Sequence, residues 1–216
     1  YKVPETRNEY AKYIEEIQVR GYSPAILIQD CNPIKKEILD YYFKLGISNF
    51  IVTNDNIALY IKNKNPKYNV VASITKTLSA SDICRNDYSM YDKIVLNFPF
   101  NRALCRLDEL PKKYKYVLLA NSYCAYNCAV AKKHWFSNSE EVLNLNCIKH
   151  TSKDNLVYVP PEYLNMFEPY VANFKLQGRE YPTHMLANEI YFYYKRLHVP
   201  TAGVIYNRLN DFNKHN

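Results

Sequence analysis

Short runs of β-branched and apolar residues alternate along this chain with longer segments of helical period, and that alternation constrains the fold more than any other feature. "SPAILIQD" (23–30), "SNFIVTN", "YNVVASI", "YDKIVLNF", "YKYVLLAN", "LVYV" (156–159) and "VANFKLQG" have the length and residue preference of strands. Between them stand "IKKEILDYYFKL", opened by Pro33 and closed by Gly46, then "DNIALYIKNK" before Pro66, and a segment around Ala80 to Cys84. Another lies near Arg102 to Leu110 and is stopped by Pro111, and "THMLANEIYFYYKRL" has the strongest amphipathic pattern of all. About seven strands, six of them followed by a helix, at spacings of roughly 20 to 25 residues except across the cysteine segment, describe repeated βα units and a mostly parallel sheet. The expected class is α/β, an incomplete or open TIM-like (βα) barrel. A further helix is expected in "ETRNEYAKYIEEIQVRG", packed outside the sheet.

The chain has 216 residues, enough for one well-buried core. No Ser/Gly-rich linker or low-complexity tract divides it, so a single domain over 1–216 is expected. An eight-unit barrel usually takes about 250 residues, and the first residue is Tyr1, so this domain is read as lacking an N-terminal strand.

Charge and composition narrow the function classes. The 22 tyrosines against 4 glycines favour half-buried edges, where a phenol keeps its hydroxyl wet. The net charge of +7 suits an anionic partner, yet the lysines are scattered, and no nucleic-acid-binding motif accompanies them. An anionic small molecule is therefore the expected partner, with RNA a second class. No apolar run approaches the roughly 18 residues of a membrane span and no signal-peptide core opens the chain, so a cytoplasmic protein without a membrane is expected. Nothing in the pattern specifies an oligomeric state. Six cysteines without the spacing of small secreted domains agree with reduced thiols.

In parallel α/β folds, residues just past the strand C-termini gather on one edge, where chemistry is found. Those positions are polar here: Gln29, Asp30 and Cys31; Thr53, Asn54 and Asp55; Ser73 and Thr75; Asn97; Asn121, Ser122 and Cys124; Lys175, Gln177 and Arg179. Asp55 and Ser81 also read as helix N-cap or first-turn residues. Cys124 and Cys128 follow the fifth strand as a close pair, with His134 beside Trp135 and Cys147 further on. Three soft thiols and an imidazole are a metal or cluster donor set. The alternative is that they are small packing residues, as free cysteines often are. Cys84 and Cys105 fall in helical segments and read as packing residues. Lys175 and Arg179 flank Gly178 after a strand, which presents two cations and backbone amides to an anionic group. No Ser/His/Asp spacing, HExxH motif or glycine-rich phosphate loop is present.

Four motifs occur together in a fixed order: Asn101 and Arg102 in "LNFPFNRAL"; Asn121, Cys124, Asn127, Cys128 and His134 in "ANSYCAYNCAVAKKHW"; Cys147; and Phe174, Lys175, Gly178 and Arg179 in "ANFKLQGREYPTHML", with Pro182 and Thr183 entering the next helix. In this order the chain resembles the collagenase-like peptidase family, U-thirty-two, and its TIM-barrel relatives over roughly residues 22 to 197. The resemblance implies a TIM-like barrel and an iron–sulfur cluster held by cysteines, here Cys124, Cys128 and Cys147, with His134 as a further ligand or an acid/base group. It also implies redox or hydroxylation chemistry, with Lys175 and Arg179 on an anionic substrate. The chain has three clustered cysteines where members usually carry four, and Ala129 where a proline commonly follows the second. From another class, the same donor set would hold a structural zinc in a binding or scaffold protein.

Overall fold

The structure is a computed structural model that describes residues 6–28, 36–122, 157–177 and 183–198. The elements in chain order are α1 (Arg7–Val19), β1 (Ala25–Ile28), α2 (Lys36–Lys44), β2 (Asn49–Val52), α3 (Asp55–Lys64), β3 (Asn69–Ala72), α4 (Ala80–Arg85), β4 (Lys93–Val95), α5 (Leu104–Asp108), β5 (Tyr116–Leu119), α6 (Leu164–Phe167), β6 (Asn173–Lys175) and α7 (Thr183–Lys195). The six strands follow chain order in the sheet, and the recorded pairs are parallel. This is the α/β class with a TIM-like open parallel sheet that the alternating pattern predicts. Among the described residues no helix is long and apolar enough to cross a membrane.

Two compact units divide the chain, one of residues 1–76 and 86–94, the other of residues 77–85 and 95–216. In the first, β1, β2 and β3 pair in line, Ala25 opposite Asn49 and Asn49 opposite Asn69, so their ends lie level. Phe50, Val52, Val70, Ala72 and Ile94 are fully buried, and each apolar side chain of this size removed from water stabilises the fold by about 1.5–3 kcal/mol. Phe43 from α2 meets Phe50 edge-on and stacks on Tyr68, which extends this core.

Local chemistry explains the helix ends. Thr6 caps α1 through a reciprocal box with Glu9, whose backbone N–H donates to Thr6 Oγ1 while Glu9 Oε2 accepts from the Thr6 N–H. After α2, Gly46 takes φ 73°, which lets its N–H reach the Phe43 carbonyl and the Ile47 N–H reach that of Tyr42. The helix then turns sharply into β2. Asn54 caps α3 by accepting from the Asn56 N–H, and Asp55 stands in the first turn, one of the two places expected for it. In front of α4 the cap is Ser79, paired with Asp82, and Ser81 likewise stands in the first turn.

In the second unit, the Leu96 N–H donates to the Val117 carbonyl and β5 pairs with β6, Leu118 opposite Phe174. β5 is buried along its whole length. Two elements differ from the sequence pattern. The helix expected from Arg102 to Leu110 is a 3-10 turn, Phe98–Arg102, followed by the short α5, because Asn97 caps the turn and Pro99 starts it early. "LVYV" is not a ladder strand over its described residues 157–159. Val159 makes one backbone bond, to the Ala120 carbonyl, before Pro160 and Pro161 remove two donors.

Tyr116 is buried at the start of β5 and donates its hydroxyl to the Pro111 carbonyl. Burial first, then the neighbouring Cys84 and Tyr114, raises its phenol well above the ordinary 10.0. A raised folded-state value contributes stability that is complete below the unfolded pKa of about 10 and is lost as pH climbs through the folded value. Thermal unfolding between about pH 9 and pH 12 should therefore show a Tm that holds to about pH 10 and falls above it, and Tyr116→Phe should flatten that fall. The same variant should cost about 0.5–1.5 kcal/mol at neutral pH through the lost hydrogen bond. An unchanged alkaline slope in Tyr116→Phe would rule out this residue as its source.

Candidate functional site

Strand ends must dispose of backbone groups that leave the ladder, and in the second unit two asparagines do so. Asn121, fully buried just past β5, donates from Nδ2 to the Gln177 carbonyl at 2.7 Å, and its Oδ1 accepts from the Gln177 N–H at 2.7 Å. The carboxamide thus continues the β5–β6 ladder by one step, where the Ala120 N–H to Lys175 carbonyl bond precedes it. Asn101, only 5% exposed, donates from Nδ2 to the carbonyls of Leu119 and Val157, both at 2.8 Å. It ties the end of β5 to the segment that resumes at 157. Its Oδ1 is buried without a hydrogen-bond partner, a cost of about 1–3 kcal/mol that a bound donor would remove. Tyr193 of α7 closes this side, donating to the Val159 carbonyl at 2.6 Å.

These contacts hold Ser122 and Gln177, the last described residues before the cysteine segment and before Gly178, at neighbouring strand ends. Lys175 lies in β6, half-buried, with its carbonyl in the ladder. Cys124, Cys128, His134, Cys147 and Arg179 lie outside the described residues, as does Cys31. Among the described residues no group of three or more His, Cys, Asp or Glu side chains is arranged to hold a metal ion. Cys84 and Cys105, read from sequence as packing residues, are instead exposed free thiols. They lie in α4 and α5, and Cys84 Sγ is 3.7 Å from the Glu109 carbonyl.

The first unit has its own polar system at the ends of β2 and β3. Thr53 Oγ1 lies 2.9 Å from Thr75 Oγ1, which donates to Ser73 Oγ at 2.8 Å, and all three residues are buried. Beside them Lys76 Nζ donates to the Thr53 carbonyl at 2.8 Å and to Asp55 Oδ1 at 2.9 Å. Tyr91 donates its hydroxyl to the same Asp55 oxygen at 2.6 Å. The Lys76 side chain is 10% exposed and Asp55 47%. Tyr91 and Tyr88 place their ring centroids 5.6 and 6.0 Å from Lys76 Nζ, within reach of a cation–π interaction. Thr53, Asp55, Ser73 and Thr75 are legible in the sequence as strand-end residues, whereas Lys76 and Tyr91 are not. The available signal was the lysine directly after the small hydroxyl residues of "ASITK".

Parallel strands in chain order, with side chains rather than backbone completing the ladder at their C-terminal ends, define a βα protein of the TIM-like class. Searches for a matching family model and for a matching curated protein find none. Among solved structures, the chain matches that of the U32 peptidase Mk0906, with TM-score 0.51 and 16% sequence identity over 82% of this chain and 78% of that one. The chain therefore shares the U32-peptidase-like fold.

Removing the Asn121 carboxamide takes from the part-buried Gln177 N–H and carbonyl the partners they have in Asn121. Asn121→Ala should lower stability by about 2–3 kcal/mol, whereas the equivalent truncation of half-buried Asn65, whose Oδ1 accepts from the Lys67 N–H, should stay below about 1 kcal/mol. Denaturant unfolding measures both, and equal losses would show that the ladder extension carries no special weight.

Proposed function

We propose that the chain is an enzyme built on the U32-peptidase-like fold, in which Cys124, Cys128 and Cys147 hold an iron–sulfur cluster, His134 is a further ligand or acid/base group, and Lys175 and Arg179 bind an anionic substrate. The observation that carries the reading is the reciprocal pair of hydrogen bonds between Asn121 and Gln177. Through them the chain leading to Cys124 and the chain leading to Arg179 start from adjacent, rigidly joined strand ends. The donor set fits the group, since three thiolates and an imidazole are soft ligands suited to a cluster. When bound, such a group supplies one-electron redox chemistry.

What the chain's own residues contribute is positioning and charge. Asn101 and Asn121 fix the base of the site at Leu119, Val157 and Gln177. The Lys175 ammonium and the Arg179 guanidinium would neutralise a phosphate or carboxylate, in keeping with the chain's net charge of +7. The substrate class is an anionic small molecule, with RNA as a further anionic candidate. Free thiols of this kind belong to a reducing, cytoplasmic setting. The solved neighbour is described as a peptidase, but a redox or hydroxylation reaction suits the soft donor set better than peptide hydrolysis. The same four donors would also hold a structural zinc, which belongs to a binding or scaffold role.

Anaerobic purification followed by a visible spectrum and iron, sulfide and zinc analysis tests this directly. The expected outcome is a broad band near ~400 nm with iron and sulfide, both lost in Cys124→Ala and Cys128→Ala. Colourless protein with one zinc per chain, released together with loop stability on chelation, would replace the enzyme reading with the scaffold one. Protein binding neither would return the cysteines to packing.

A further inference from the structure

The charged cluster at the C-terminal ends of β2 and β3 has no part in the cysteine reading, and its part-buried Lys76 differs in an instructive way from Lys62, which lies at the N-terminal end of β3. Lys62 is a saturated staple. Its three N–H donors meet three acceptors, the Pro66 carbonyl at 3.2 Å, the Tyr68 carbonyl at 2.8 Å and Asp92 Oδ2 at 2.6 Å. Asp92 is itself locked, accepting from the Val70 N–H while its own N–H donates back to the Val70 carbonyl.

Lys76 is more buried than Lys62 and less satisfied. Among the described residues two oxygens accept from Nζ, the Thr53 carbonyl and Asp55 Oδ1, and the rings of Tyr88 and Tyr91 lie beside it. Asp55 uses a single oxygen for both Lys76 and Tyr91. Its Oδ2 has no partner among the described residues, and the side chain is half exposed, so that oxygen is open to water. The result is an ammonium flanked by two aromatic rings and lying beside a carboxylate open to water, past the C-terminal ends of parallel strands.

We propose that Lys76 is a nucleophile that forms an imine with a small aldehyde or ketone, with Asp55 as the proton carrier and Tyr91 holding that carboxylate in place. Asp55 takes one proton from the ammonium, and the nitrogen lone pair forms the C–N bond as the carbonyl π pair moves onto oxygen. That oxygen receives the proton from Asp55. A second proton passes from nitrogen through the same carboxylate to the hydroxyl, which leaves as water while nitrogen's electrons close the C=N bond. Ammonium plus carbonyl thus become a protonated imine plus water, with no oxidant or reductant. The aromatic faces that flank Nζ stabilise the cationic imine as they do the ammonium.

The test is reductive trapping on the intact chain with propionaldehyde and sodium cyanoborohydride, followed by peptide mass spectrometry. Exposed Lys112 and Lys115 and staple Lys62 serve as internal references. Lys76 should be alkylated about 10-fold faster than Lys112 and Lys115, and Lys62 slower than either. Asp55→Asn should slow Lys76 by about 10-fold and leave Lys112 and Lys115 unchanged. Lys76→Arg, which keeps a cation beside Asp55, should abolish the fast single adduct in the intact mass while circular dichroism remains that of the folded chain. Urea-unfolded protein should show no preference among the lysines. A Lys76 rate at or below that of the exposed lysines, or a Lys76 rate that Asp55→Asn does not lower, would make Lys76 a second structural staple and overturn the proposal.

Discussion

Parallel strand pairing dictates most of what this chain does with its polar residues. Strands that run the same way cannot be joined by hairpins, so each must return through a crossover, and all C-terminal ends come out on one edge. The level register of β1, β2 and β3 makes that edge sharp in the first unit. Backbone groups there have lost the ladder on one side and are still buried, and each must find a partner. Asn121 supplies it to Gln177, Asn101 to Leu119 and Val157, and Lys76 to Thr53. The residues that complete the ladder are therefore also those placed where a ligand would arrive.

The periodic part of this architecture is legible from residues alone because it rests on local rules. The extent of α3 follows from Asn54 before it and Pro66 after it, and Asp55–Lys64 is the span seen. Gly46 marks a true left-handed turn. Where the reading departs, the cause is tertiary or a proline. "LVYV" has strand composition, yet Pro160 and Pro161 follow it at once, and over its described residues Val159 makes the backbone bond to β5's end, at the Ala120 carbonyl. Cys84 and Cys105 have the residue type of a core, but short helices give them an outward position that composition does not reveal.

The polar sites were half legible for a related reason. Position after a strand singles out Asn121, Asp55, Ser73 and Thr75, since that depends only on finding the strand. Partners do not follow from it. Asn121 meets Gln177 across 56 residues and Tyr91 meets Asp55 across 36, and nothing in the spacing announces either. A lysine one residue past Thr75 looks like any solvated loop lysine until the fold closes two tyrosines over it.

The two polar systems also obey different energetics. The asparagine contacts are neutral and nearly saturated, and such bonds stabilise modestly when made while costing more when broken. They are adequately explained by the need to end a ladder. The Lys76–Asp55 pair is not, because burying an ammonium carries a desolvation penalty that only a well-placed, equally buried counter-charge offsets. Asp55 is half exposed, and solvent screening leaves such a pair worth little. Lys62 shows that this chain can tie down a lysine with three acceptors, so the poorer arrangement at Lys76 is not a limit of the fold. A cation kept under-satisfied among aromatic rings, where a third oxygen acceptor would have stabilised it further, is better accounted for by reactivity than by stability.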